Sequence, residues 1–377
     1  MLSALVLKEE LKSRVSAELS ESEREVAARD HHAVRPPRPC GLTIHTAIGC
    51  VFRCKYCYIY DMGFKPEVKP YPLTGIQLVY SLLSNKYFIP GSTGTYLAFG
   101  SVSEPFHPLV KDKTFEYVEC VYKYLGNPVQ FSTKAYLSRS DAEKLVRMSE
   151  GKISPLVTVV TLEYSDLLEP YAPKPEKRLE TIRNLKEAGL KPFLFLRPII
   201  PGLTEKEYKQ VISLAKEYGA VGVVAGSLRV TKRILSELKE AGLDISEIAR
   251  RLKVPLDKMK QGVQYDVIAS DIKEEIEKYA RKEGLVFFPA ACMANLYTHS
   301  ITCWKMHLMG LGKTAPPKPT PDEVRKLAER LGVQLVNVRF EGGVLSAVAR
   351  CRNCNARLIG ELLRSSYLAC TKIFIAT

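Results

Sequence analysis

Apolar and polar positions along the chain follow two alternating rhythms. Residues 1 to about 30 read as a charged, amphipathic helix, closed by the proline-rich turn at 35–39, where ring and missing N–H forbid continuation. From there short β-branched or apolar runs recur at 42–48, 95–100, 128–133, 156–164, 192–200 and 220–226. Segments of helical period lie between them, such as 176–189 and 205–219, each ending on a glycine suited to a helix C-terminus. Strands that alternate with helices predict crossover connections and a parallel sheet. The fold class is therefore α/β, and periodicity alone leaves a doubly wound sheet and a barrel equally open.

The pattern loosens after residue 230. Residues 246–261 resemble a helix-turn-helix superficially and are read as a plain helix and turn. A strand-like run follows at 284–290, and the proline-rich stretch 314–321 reads as a linker. Beyond it come a helix at 322–331 and a hairpin around Glu341-Gly342-Gly343. The chain thus divides into an N-terminal helical extension (1–40), an α/β barrel (41–245), a helical segment with the first late cysteines (246–313) and a small basic C-terminal module (314–377). No internal repeat is visible. No apolar stretch approaches the roughly 20 residues that cross a bilayer, and the N-terminus turns charged too early for a signal peptide. A soluble, cytoplasmic protein without a membrane partner is expected.

Charge and cysteine content sharpen this picture. The 377 residues carry 55 Lys and Arg against 41 Asp and Glu, a formal net charge of +14. Such a surface attracts polyanions, so RNA or DNA is a candidate partner, although a heat-adapted solvated surface looks similar. In the last module ten basic residues, including Arg357, Arg364 and Lys372, face five acids, which suits a phosphate backbone. Ten cysteines, clustered rather than spread over a small secreted domain, favour metal ligation in a reducing compartment over disulfides.

The decisive stretch is Cys50-Val-Phe-Arg-Cys54-Lys-Tyr-Cys57, directly after the first predicted strand. Three thiolates in one loop can ligate three irons of a cubane, and no neighbouring cysteine supplies a fourth, so one iron keeps an open position. A zinc knuckle would use paired CxxC motifs to reach four ligands. Gly49 admits close backbone approach. The spacing C-x3-C-x2-C, with aromatic Tyr56 before the last cysteine, resembles the radical S-adenosylmethionine (radical SAM) superfamily. That resemblance implies a partial (β/α)6 barrel in which the SAM amino and carboxylate groups chelate the open iron of a [4Fe-4S] cluster. Reductive cleavage to a 5'-deoxyadenosyl radical follows from it, with electrons from a reductase or ferredoxin-type donor.

Further segments are similar to the spore photoproduct lyase-like or DNA repair photolyase-like branch. They are the run from Gly100 through Ser101 and Glu104 to Pro108, Ser132-Thr133-Lys134, the stretch from Thr161 to Arg178, and Arg197 to Gly202. The resemblance implies cofactor-binding roles for Tyr56, Gly100, Ser101, Glu104, Ser132, Thr161 and Arg178. Among these Glu104 could accept from the SAM ammonium, and Arg178 could pair with its carboxylate. Ordinary strand-end hydroxyls and a solvated helix cation are the plain alternatives for Thr161, Ser132 and Arg178. All lie at predicted C-terminal strand ends, where barrel enzymes assemble their sites. One departure matters: spore photoproduct lyase uses a cysteine hydrogen donor shortly after its cluster motif, whereas no cysteine stands here between Cys57 and Cys120. Cys120 reads as a core residue of a helix.

A second group, Cys292, Cys303, Cys351 and Cys354, with Cys370 a substitute for one of them, predicts an auxiliary [4Fe-4S] cluster or a structural zinc site. Its alternative is a set of buried free thiols. Three functions follow: a radical SAM enzyme of nucleic-acid modification or repair, the same chemistry on a protein or small metabolite, or a non-catalytic Fe-S or zinc protein that binds nucleic acid.

Overall fold

A parallel sheet with both faces covered needs strands that are apolar throughout, and the runs found in the sequence satisfy that demand. In a computed structural model, which describes residues 2–38, 40–312, 314–350 and 355–376, seven strands pair in parallel. They are Gly41–Ile44, Tyr96–Phe99, Val129–Thr133, Ser154–Thr158, Phe193–Ile199, Gly222–Ser227 and Val286–Phe288, in that spatial order. The first six correspond to the six predicted runs. The seventh comes from the 284–290 run and extends the sheet by one strand into the segment read as helical.

Alternation along each strand sorts the side chains between two cores. Leu97, Phe99, Phe131, Val157, Leu194 and Val223 pack against the helices that connect the strands. Tyr96, Leu156, Phe193, Val224 and Phe288 form a second core with Met293 and Leu296 of the helix Ala291–Thr298. That helix crosses the inner face, where the Gln130 side chain donates to the Ala291 carbonyl at 2.8 Å.

Residues 1 to about 30 form two helices, Leu2–Ser16 and Glu21–Arg29, where one was expected, and a short third, His31–Val34, follows. The break lies at Ser20, whose hydroxyl accepts from the Glu23 N–H while the Glu23 carboxylate accepts from the Ser20 N–H. Such a capping box starts a helix afresh. The predicted strand 156–164 stops at Thr158, because the Glu207 carboxylate captures the Thr161 hydroxyl and the Leu162 N–H at 2.7 and 2.6 Å. Residues 246–261 contain only the short helix Ser246–Arg250 and the 3-10 turn Leu256–Lys258, so the helix-and-turn reading holds.

The last module is a three-stranded sheet with its own core of Val324, Leu335, Leu345 and Leu363. Gln334–Glu341 and Val344–Arg350 form the predicted hairpin, whose turn places Gly342 and Gly343 at φ +54° and +75°. Cys370–Ala376 joins it in parallel after the helix Ala356–Tyr367. Among the described residues no helix is long and apolar enough to cross a membrane.

Phe131 is 1% exposed and meets Phe106 edge-to-face at 4.8 Å between ring centroids. Phe131→Ala should lower unfolding free energy by about 3–5 kcal/mol in denaturant titrations, the cost of a large aromatic lost from a packed core. A change below ~1 kcal/mol would mean that this layer does not organise the sheet.

Candidate functional site

The cysteine loop leaves the C-terminal end of the first strand, and its shape is fixed by backbone and buried polar contacts. Gly49 has φ +80°, and a Cβ there would stand 2.3 Å from the Glu67 carbonyl. Arg53 also takes a positive φ of 48°, which only a well-held loop sustains. The Cys57 N–H donates to the Cys54 carbonyl at 2.9 Å, the Lys55 N–H to the Leu168 carbonyl at 2.8 Å and the Tyr60 hydroxyl to the Cys50 carbonyl at 3.0 Å. Arg233 closes the far side, donating to the Cys57 carbonyl and pairing with Asp61 at 2.7 Å.

Beneath the loop lies a buried charge network. Tyr56, 6% exposed, donates its hydroxyl to Glu169. Glu169 in turn pairs with Arg178 at 2.5 Å, both side chains fully buried. The Lys134 ammonium stands 3.9 Å from Glu169 and 5.5 Å from the Tyr56 ring centroid. Burial pulls the Lys134 ammonium down, but Cys54 and Glu169 outweigh it and hold its pKa above the ordinary value. One carboxylate therefore faces two cations, and the excess positive charge is directed toward the cysteines.

Cys50, Cys54 and Cys57 open together onto a cleft of about 100 Å³, also lined by Tyr56, Gly100, Ser101, Glu104, Ser132 and Lys134. Burial pushes the Cys50 thiol up to about 11 and Cys54 to about 12, and raises Cys57 as well. Such thiols ligate only by giving up their protons to a metal. Gly100 has φ +89°, and a Cβ there would lie 2.2 Å from the Ser132 carbonyl, so only glycine fits. Glu104 is buried, and burial raises its pKa. It accepts from the Thr133 hydroxyl at 2.6 Å and from the Phe106 and Lys134 N–H groups at 3.1 and 2.9 Å, so it knits two strand ends together.

Five of the seven predicted cofactor residues thus gather at the cleft, and two lie elsewhere. Thr161 is fully buried and donates to Glu207. Arg178 lies behind the wall, donating also to the Pro173 and Thr158 carbonyls at 2.6 and 3.3 Å. Lys134, which sequence reasoning placed in a motif without a role, is the cation that lines the cleft. Glu169 stood in the stretch from Thr161 to Arg178 without an assigned role, and Arg233 had no signal of its own, being an ordinary charge on the linear chain.

Among the described residues no three His, Cys, Asp or Glu side chains stand close enough to hold a single metal ion. Cys351 and Cys354 lie outside the described residues. The His299 ring bonds the Tyr122 hydroxyl at 3.3 Å, and His307 packs on Trp304 while its backbone N–H donates to the Cys303 carbonyl at 2.9 Å.

The model of the radical SAM superfamily matches residues 44–215. Residues 44–215, with the cysteine loop among them, therefore match a radical SAM domain, which implies a [4Fe-4S] cluster and SAM; members of the superfamily are enzymes. Within it the fold is that of spore photoproduct lyase. The complex of that enzyme with a dinucleoside spore photoproduct superimposes with a TM-score of 0.54 at 18% identity, covering 71% of this chain and 82% of that one. A substituted form with bound AdoMet and the same dinucleoside gives 0.54 at 18%, covering 72% and 84%. An uncharacterised protein of Methanocaldococcus jannaschii is 29% identical over 172 residues, 44% of this chain and 62% of that protein. The chain thus spans under two thirds of that relative. An uncharacterised protein of Acidianus two-tailed virus is 26% identical over 242 residues, covering 58% and 74%.

Glu169→Gln leaves Arg178 buried without a counter-charge and should lower stability by about 3–5 kcal/mol in chemical unfolding. The double change with Arg178→Met should recover part of that loss. Additive destabilisation in the double variant would show that the two side chains do not act as a pair.

Proposed function

We propose that this chain binds a [4Fe-4S] cluster through Cys50, Cys54 and Cys57, takes SAM at the iron they leave open, and modifies or repairs nucleic acid in the cytoplasm. The observation that carries this reading is the convergence of three thiols, a glycine-only strand end and one partly buried cation on a single cleft. When bound and reduced by a ferredoxin-type donor or a reductase, cluster and cofactor supply a 5'-deoxyadenosyl radical for hydrogen abstraction.

The chain's own residues bind and orient. Lys134 is the group we assign to the SAM carboxylate, in place of Arg178, whose charge is spent on Glu169. Glu104 keeps lone pairs for the amino group after its three internal bonds. Gly100, Ser101 and Ser132 form the wall along the cofactor, and Tyr56 holds the loop that shields the cleft from water.

Nucleic acid as substrate is supported by the net charge of +14 and by a groove on the C-terminal module. Arg38, Arg357 and Lys372 line that groove, with Phe374 59% exposed beside them. Cations flanking an exposed aromatic ring suit a strand whose bases can stack. Arg364 does not contribute there, because it is 4% exposed. Cys120 packs against the core from the outer helix Lys111–Tyr124, so return of hydrogen to a substrate radical needs a donor other than that thiol.

Anaerobically reconstituted protein with dithionite should convert SAM to 5'-deoxyadenosine, and Cys54→Ala should abolish this; retained cleavage in the variant would break the ligand assignment. Affinity for single-stranded RNA or DNA should fall steeply with salt, with a log–log slope of about −2 or steeper for at least three neutralised phosphates. A flat salt response would remove nucleic acid from the proposal.

A further inference from the structure

Four cysteines from four separate segments meet at the end of the sheet opposite the cluster loop. Cys40 precedes the first strand, and its carbonyl accepts from the N–H of Tyr96, the first residue of the second strand, at 3.2 Å. Cys292 lies in the helix that fills the inner face, and Cys303 caps the short helix Trp304–Leu308. Both pack with Cys40 against the core containing Tyr96 and Phe288. Cys370 is brought in by two bonds: Trp304 N–H to the Leu368 carbonyl at 3.0 Å, and Cys370 N–H to the Gly343 carbonyl at 3.1 Å. Burial pushes Cys40 up to about 12, with Arg364 opposing and Cys292 and Cys370 adding; Cys303 and Cys370 raise Cys292 likewise. Gly343 packs against Trp304, the residue after Cys303, so the Cys370 and Cys303 segments meet there.

A second observation points into the same place. Arg364 is 4% exposed, bonds Glu361 through Nε at 3.0 Å and stacks over the Tyr96 ring at 5.2 Å. Its two terminal nitrogens are buried and have no hydrogen-bond partner among the described residues. A buried guanidinium with unused donors demands an acceptor, and inorganic sulfide or cysteinyl sulfur supplies one.

We infer that Cys40, Cys292, Cys303 and Cys370 hold a second, fully ligated [4Fe-4S] cluster, with Arg364 as the cation that donates to its sulfurs. Assembly takes iron and inorganic sulfide, and each thiol releases its proton to solvent as its Fe–S bond forms. A cubane presents inorganic sulfide to the unpartnered Arg364 donors, an acceptor that a zinc site lacks. The centre is closed, lacking the open position of the loop cluster, and it fastens the helix at Ala291–Thr298 and the C-terminal module to the start of the sheet. The inference rests on the reading of the chain as an iron–sulfur protein but uses none of the ligands of the cleft.

The test separates the two. Reconstituted full-length protein should bind about eight irons per chain, and the triple Cys50/Cys54/Cys57→Ala variant about four, with cubane absorption and without SAM cleavage. In that background Cys40→Ser or Cys370→Ser should lose the remaining iron, whereas Cys120→Ser should keep it. Arg364→Gln should retain the cluster with a more negative reduction potential, since a nearby cation favours the reduced, more anionic state, and Arg364→Lys should restore most of it. A triple variant that binds no iron, or that binds one zinc instead, overturns the second cluster while leaving the cleft untouched. Wild-type protein that binds only these last four irons and cleaves no SAM would overturn the proposed function and leave the second centre standing.

Discussion

The site depends on one buried interaction, the contact of Glu169 with both Tyr56 and Arg178. Two charges hidden from water are costly unless their lone pairs and protons are used, and here the carboxylate is shared between a phenol and a guanidinium that also binds two carbonyls, with one Arg178 terminal nitrogen left unpartnered among the described residues. Tyr56 belongs to the cysteine loop, Glu169 to the turn after the fourth strand, and Arg178 to the helix Pro175–Glu187. A single network thereby sets where three thiols stand relative to the strand ends. The second cation, Lys134, is left over from this pairing, so the same arithmetic that stabilises the loop provides the cleft with a free positive charge.

Much of this was legible in the linear chain, for reasons that differ from part to part. The cysteine loop was readable because its three ligands are contiguous and their spacing is itself the chemistry. The six strands were readable because burial on both faces forces unbroken apolar runs, such as the fully buried Ser154–Thr158. The seventh strand was visible as a strand-like run at 284–290, but at only three residues among helices it gave no sign that it joins the same sheet.

Ion pairs were the least visible. Arg178 has the sequence environment of a solvated helix cation and the burial of a core residue. Thr161 ends a run that looks like strand, yet a carboxylate 46 positions away pulls it out of the ladder. Lys134 and Arg178 are both basic residues near predicted strand ends, and only the partner of each tells them apart. Cys40 had no motif at all: it stands alone beside a proline-rich turn, and its neighbours come from positions more than 200 residues later. Long-range electrostatic choices of this kind are made by the fold and leave no local trace.

The sheet ends at its first and seventh strands, which do not pair with each other. A closed ring would admit only what can enter through its mouth. An arc has a flank, and a long chain-like molecule can be laid along that flank and offer one unit to the interior while its remainder stays outside. The parallel sheet itself therefore draws no closed hydrogen-bonded ring around its inner face.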